Sequence, residues 1–294
     1  MFCLASESEG REQMSEQEDV IGPWSEDKLD LLKKYLEAYT NIMKGQSWCR
    51  NGYHYIDAFS GTGRPRAKDE ERYVEGSPLV ALGIENPFHS YLFIELSGWR
   101  VQSLRERLES KFPNRNIEIV EGDCNDVITS RVVPKIRFEN YNRGFIFLDP
   151  FSMSVEWTTI EAVAQTKALE IFLNFPVMAI NRTTLLNSPY KLTSTQMDRM
   201  TRFWGTEDWR DDLYHVQEDL FGEQVLIKRE RSTAKRLSRL FKSRLKEIFT
   251  YVTEPLIMSN SRGNPIYCLF LAGHNENAAR IMRQIFTRYE KLGA

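Results

Sequence analysis

The sequence predicts an α/β fold built on a seven-stranded, mostly parallel sheet. Two observations lead there. Short, almost continuously apolar runs alternate with segments of helical periodicity, the pattern of strands buried on both faces by covering helices. The last two apolar runs are joined by so short a turn that they must pair antiparallel, because a parallel pair needs a long crossover.

Taken in order, residues 1–19 carry Glu, Ser and Gln with almost no large apolar side chain, and read as a disordered acidic tail. The remainder, 20–294, reads as one domain. An N-terminal helix comes first: Ser25 is a good N-cap, Glu26 and Asp27 suit its positive end, and Leu29, Leu32, Leu36, Tyr39 and Met43 recur at helical spacing up to Gly45. A strand over 53–59 then runs into the glycine loop Ser60-Gly61-Thr62-Gly63. After a polar stretch, Ser77 reads as an N-cap with Pro78 at the first helical position.

Strands are expected over 90–95, 116–123, 144–151 and 169–176, with helices over 98–112 and 158–165 and a short helical segment before 144. Residues 178–224 break the rhythm: they are polar, carry Trp204, Trp209 and Tyr214, and read as a helical insertion or lid. A helix over 232–249 follows, then strands over 252–258 and 265–273 around the turn Asn260-Ser261-Arg262-Gly263-Asn264.

Composition narrows the function classes. The chain has 294 residues, 39 basic against 41 acidic, 41% hydrophobic and 27% charged. It can bury a large core without disulfide or metal support, and its net charge of −2 gives no bulk attraction to phosphate. No apolar run approaches the roughly 20 residues of a membrane span, and the start MFCLASESEGREQ lacks the basic n-region of a secretory signal. Cys3, Cys49, Cys124 and Cys268 are scattered, as are His54, His89, His215 and His274, so no metal site is expected. The cysteine pattern suits a reducing cytoplasm, with no membrane partner.

Chemistry is expected at the carboxyl ends of successive strands, where open α/β sheets bind ligands. The first strand ends in Asp57-Ala58-Phe59-Ser60-Gly61-Thr62-Gly63, whose glycines let the backbone turn and approach a ligand closely. Glu95 ends the second strand, Gly122-Asp123-Cys124 the third, and Asp149-Pro150-Phe151 the fourth. An acid after the second strand can accept both ribose hydroxyls of a nucleoside, and an Asp after the third the adenine amino group. Singly, each acid has a bland reading: Asp57 as a cap or ion-pair partner, Glu95 as a solvated strand end, Asp123 as a turn residue. Nicotinamide dinucleotide competes for the same device, but its G-x-G-x-x-G fails at Arg66, and its helix would open too late, at Ser77.

The motifs IDAFSGTG, FIE, EGD and FLDPF resemble motifs I to IV of class I S-adenosylmethionine-dependent methyltransferases, which implies their Rossmann-like fold, a seven-stranded mostly parallel sheet with an antiparallel last strand. More narrowly, GPWSEDKLDLLKKYLEAYTNIMKG followed by YIDAFSGTG, EGSP, FLDPF and PIYCLFLA resembles the three-Cys-motif partner protein family, over about residues 22–285. The resemblance implies S-adenosylmethionine as cofactor, held by Asp57, Phe59, Gly61, Gly63, Glu95, Asp123 and Cys124. It also implies a methyltransferase working beside a separate cysteine-motif protein that looks like a radical-S-adenosylmethionine enzyme.

Asp149, Pro150 and Phe151 form the candidate catalytic set. They are similar to the D-P-P-[YFW] loop of methyltransferases acting on base amino groups, minus the second proline. The blander reading has Asp149 capping a strand and Phe151 in the core. Lys228, Arg229, Arg231, Lys235, Arg236, Arg239, Lys242, Arg244 and Lys246 form a basic stretch broken only by Glu230, a candidate nucleic-acid face or simply a solvated one. Three functions are open: a methyltransferase of unidentified acceptor, a nucleic-acid methyltransferase, or a non-catalytic docking partner that kept the fold.

Overall fold

A computed structural model describes residues 19–68, 70–184, 192–218, 224–228 and 234–292, with the backbone alone for 215–218, 224–228 and 292. The expected acidic tail, apart from Asp19, lies outside the described residues. So do Arg229, Arg231 and much of the polar part of the insertion.

The strands are β1 (Tyr53–Asp57), β2 (Ser90–Glu95), β3 (Ile117–Glu121), β4 (Arg143–Leu148), β5 (Leu169–Phe175), β6 (Leu256–Ser259) and β7 (Pro265–Gly273). They hydrogen-bond in the order β3-β2-β1-β4-β5-β7, with β6 on the far edge of β7. β1 to β5 are mutually parallel, and β7 runs antiparallel to both β5 and β6. The strand expected over 252–258 is two pieces, because a two-residue strand, Tyr251–Val252, precedes β6 along the same edge of β7. Pro255 lies between the pieces. Proline cannot donate to a ladder, so the edge is where such a break is tolerated.

Alternation along the strands builds two core layers. Ile56, Ile146, Leu148, Ile171 and Leu173 face one side, while Tyr55, Phe145, Phe147 and Phe172 face the other. Four helices cover the second side: α1 (Pro23–Met43), α2 (Ser77–Leu82), α3 (Gly98–Lys111) and a C-terminal helix, Glu276–Leu292. The last of these was not anticipated from sequence.

Two expected caps differ. α1 starts at Pro23 with Gly22 at its N-cap, two residues before Ser25. Gly76 caps α2, and the Ser77 hydroxyl bonds to Asp57 instead. A Pro at the first turn already lacks the N–H a cap would serve, which frees a neighbouring hydroxyl for other work.

The insertion over 178–224 is not purely helical. After helices Val177–Thr183, Ser194–Trp204 and Trp209–Leu213 it enters an antiparallel hairpin, Tyr214–Glu218 with Gln224–Lys228. Trp204, Trp209 and Tyr214 are fully packed in the first core layer around Phe203 and Phe241, whose rings stack at 5.3 Å. They are core side chains, not a stacking surface for a ligand.

The helix carrying the basic run, Ala234–Ile248, is only partly a charged face. Arg236 donates to the carbonyl of Asp212, Lys242 pairs with Glu254, and Arg244 lies over the Trp157 ring at 4.7 Å while bonding Glu247 and the carbonyl of Trp204. Lys235, Arg239 and Lys246 remain exposed. Among the described residues, no helix is long and apolar enough to cross a membrane, and no group of His, Cys, Asp and Glu is placed to hold a metal.

Candidate cofactor crevice

The crevice forms where β1 and β4 end side by side, with connections leaving to opposite faces of the sheet, the usual ligand position in such folds. Gly61 and Gly63 have φ of +57° and +74°, so the loop after β1 takes a conformation that side chains disfavour. A Cβ at Gly63 would stand 2.8 Å from the buried Leu104 of α3. Gly63→Ala is therefore expected to cost about 1–3 kcal/mol, read as a lower urea midpoint at unchanged slope.

The carboxylate of Glu95 closes onto this loop. One oxygen accepts the Gly61 N–H at 2.9 Å and the other the Ser97 N–H at 3.0 Å, with Arg100 at 3.7 Å. Glu95 is thus a buried, fixed acceptor tied to the glycine backbone rather than a solvated strand end. Asp57 is fully buried beneath the loop and receives the Phe59 N–H at 3.2 Å. Burial pushes its carboxyl up to about 7, against the Ser77, Phe59 and Tyr55 hydrogen bonds that favour the charged form.

Asp149 stands at the end of β4. Both its oxygens lie 2.6 Å from the Lys28 ammonium, and Asn174 of β5 donates to one of them at 2.7 Å. Lys28 is itself buried and sits 5.0 Å from the Tyr267 ring centroid. Phe151 points outward and is 80% exposed, so it does not belong to the core.

The walls of the crevice include Phe59, Gly61, Gly63, Asp149, Phe151 and Ser77, which brings the first and fourth motifs together. Asp57 lies behind the wall. Asp123 spends one carboxylate oxygen capping the short helix Cys124–Val127 through the Asn125 N–H at 2.8 Å. The Cys124 side chain is buried in the first core layer, and burial raises its thiol to about 12. Its part in holding a ligand would thus fall to the backbone.

Among the described residues, the cover over this crevice is the N-terminal segment. Val20–Ile21 pairs in parallel with Arg66–Ala67, and Asp19 is tied to Arg100 at 2.6 Å and to the Arg66 N–H at 2.7 Å. Asp19, Ile21, Ser25 and Lys28 line the crevice and leave a cavity of about 100 Å³. Ligand pockets usually offer about 300–1,000 Å³, so a nucleoside-sized ligand requires Asp19 and its neighbours to move outward.

Sequence reasoning did not single out Lys28, Asn174, Asp19 or Arg100. Lys28 had a signal: it lies on the same helical stripe as Leu32, Tyr35 and Tyr39. Asn174 had another, being, with Glu170, one of two polar side chains in the apolar run of β5.

Sheet order decides the architecture. The fold is Rossmann-like, five parallel strands closed by an antiparallel end. No family model matches the sequence, and no curated protein matches it. Among solved structures, this Rossmann-like chain is similar to protein LPL1258 from Legionella pneumophila, with a TM-score of 0.50 and 12% identity over 90% of this chain and 94% of that one. Fainter likenesses include Trm1 from Pyrococcus horikoshii in complex with S-adenosyl-L-methionine (TM-score 0.43, 12% identity, 88% of this chain, 57% of that one). Another is an O-methyltransferase from Bacillus cereus in complex with SAH (TM-score 0.41, 12% identity, 82% and 79%).

Proposed function

We propose that the protein is an S-adenosylmethionine-dependent methyltransferase. The observation that carries this reading is Glu95. It ends the second strand, is buried, and is fixed to the backbone of the glycine loop by the Gly61 N–H at 2.9 Å. Each carboxylate oxygen has a second lone pair, so the acid can take ribose hydroxyls while keeping the loop in place. Gly61 and Gly63 would admit the amino-acid end, and Asp123 with the Cys124 backbone would face the adenine. Asp57 would act from beneath, through the Phe59 N–H.

When bound, the cofactor supplies a methyl sulfonium that is already a competent donor, so the protein's task is orientation and exclusion of water. The exposed ring of Phe151 would stack on a planar acceptor. Asp149 has its oxygens engaged by Lys28 and Asn174, so it holds the end of β4 in position. To accept hydrogens from a substrate amine it must first release Lys28. This geometry favours an acceptor other than a base amino group.

The ring of Phe151 keeps nucleic acid as a second reading, though the α-helix 234–248 offers it a reduced basic face. A salt titration of DNA and RNA binding separates the two, since phosphate contacts weaken steeply with salt. The separate cysteine-motif protein is part of the proposal through the sequence resemblance alone. Turnover that appears only with that protein present would support it.

S-adenosylhomocysteine at about a hundredfold excess over its Kd stabilises a binding protein by roughly 2.7 kcal/mol, which for a domain of this size is a Tm rise of several degrees. Glu95→Gln is expected to weaken binding about tenfold or more. A flat titration, with no heat in calorimetry, refutes the cofactor assignment.

A further inference from the structure

A second cavity opens at the opposite end of the sheet, among the starts of β4 and β5 and the first turn of the C-terminal helix. It measures about 810 Å³, well inside the range of small-molecule sites of roughly 300–1,000 Å³. It shares no lining residue with the glycine-loop crevice.

Three independent features converge on it. The first is backbone strain. Among the described residues, only Tyr141 (φ 53°) and Lys167 (φ 54°) are non-glycine residues in the left-handed region, and both line this cavity. Neither is the Asn or Asp that tolerates this conformation, and strained residues of this kind cluster at ligand sites.

The second feature is exposed aromatic surface. Trp48, Phe138 and Tyr141 line the cavity with 40%, 56% and 49% exposure. Large rings left in water beside a concave site favour a flat apolar ligand.

The third is charge. Arg143 is held between the Trp48 and Phe138 rings at 4.4 and 4.2 Å, and neither it nor Lys167 forms an ion pair among the described residues. The buried acid of the cavity, Glu170, bonds the Tyr35 hydroxyl at 2.6 Å and not Arg143.

We infer that this cavity binds a small planar aromatic molecule carrying an anionic group, a carboxylate or a phosphate. The ring rests on the aromatic wall and the anion meets Arg143 and Lys167. Lys167 lines the cavity with a left-handed backbone, and its side chain carries a positive charge that glycine would not supply. The inference is independent of methyl transfer, since it uses no residue of the cofactor crevice.

Isothermal titration with phenyl phosphate and 4-hydroxybenzoate tests it, with phenol, acetate and inorganic phosphate as controls. One or both aromatic anions are expected to bind at least about tenfold more tightly than every control, a gap of about 1.4 kcal/mol. The preferred arm identifies the anionic group. Lys167→Gly and Arg143→Gln are each expected to weaken binding about tenfold. Lys167→Gly should do so with a Tm equal to or above that of the unsubstituted protein, because glycine relieves the left-handed strain, which separates lost binding from lost folding. Phe151→Ala, at the other end of the sheet, should leave binding unchanged. Absence of binding by both aromatic anions at about 10 mM, or undiminished binding in Lys167→Gly, overturns the inference.

Discussion

Asp149→Asn is expected to destabilise the protein by about 3 kcal/mol, while Lys28→Met in the same chain recovers most of the loss. Breaking a buried pair on one side leaves an uncompensated charge, at a cost of about 3–5 kcal/mol, whereas replacing both partners is often close to neutral. The lower end applies because the Asp149 side chain is 23% exposed against 7% for Lys28. Lys28 loses its counter-charge: an asparagine oxygen can still accept from it, and the face of the Tyr267 ring, at 5.0 Å, offsets only about 0.5–2 kcal/mol of the charge. Urea denaturation of the two single variants and the double variant closes the cycle. A loss under about 0.5 kcal/mol for Asp149→Asn would mean that the pair is solvated and that Asp149 is free to meet a substrate.

Asp57 and Glu170 are expected to withdraw stability as the pH rises from about 4 to about 7, contrary to the usual behaviour of carboxylates. Burial holds both Asp57 and Glu170 at about 7 in the folded protein, against about 4 when unfolded. Between those values the folded state binds more protons than the unfolded state, so the unfolding free energy decreases with pH and levels off above about 7. The full contribution of each acid is capped at about 4 kcal/mol, since each pH unit is worth about 1.4 kcal/mol. His54 and His274 work in the opposite sense below about pH 6.5, because burial lowers both. The clean readout is therefore the difference between the protein and Glu170→Gln, in which the histidines cancel. Glutamine keeps an acceptor for the Tyr35 hydroxyl. The variant should gain relative stability at pH 8 and lose that advantage near pH 5; a difference independent of pH would show that Glu170 titrates normally.

The sheet was legible because the strands from 53 to 149 are short apolar runs ending in a glycine or an acid, the run at 169–175 ends at Pro176, and the period of the pattern fixes the two core faces. The antiparallel end followed from the short turn at 260–264. The expected bases and acids divided less simply. Glu95 converges on the glycine loop through a hydrogen bond that spans 34 residues of sequence, and the strand-end pattern anticipated it.

The Lys28–Asp149 pair spans 121 residues, and no local pattern marks a lysine on an apolar helical stripe as the partner of a particular aspartate. The tryptophans of the insertion could not be assigned to the core from sequence because they sit among polar neighbours. Their burial depends on Phe241, more than thirty positions later. The second cavity left no trace in the motifs, since its defining features are two backbone angles and the stacking of Arg143 between rings brought together by the fold.

A crystal structure of the protein with S-adenosylhomocysteine tests the central claim most directly. The account predicts the ribose hydroxyls on Glu95, the amino-acid end against Gly61 and Gly63, and Asp19 moved away from its position over the loop. A structure in which the ligand is absent from this crevice at saturating concentration, with Asp19 still paired to Arg100, would contradict it.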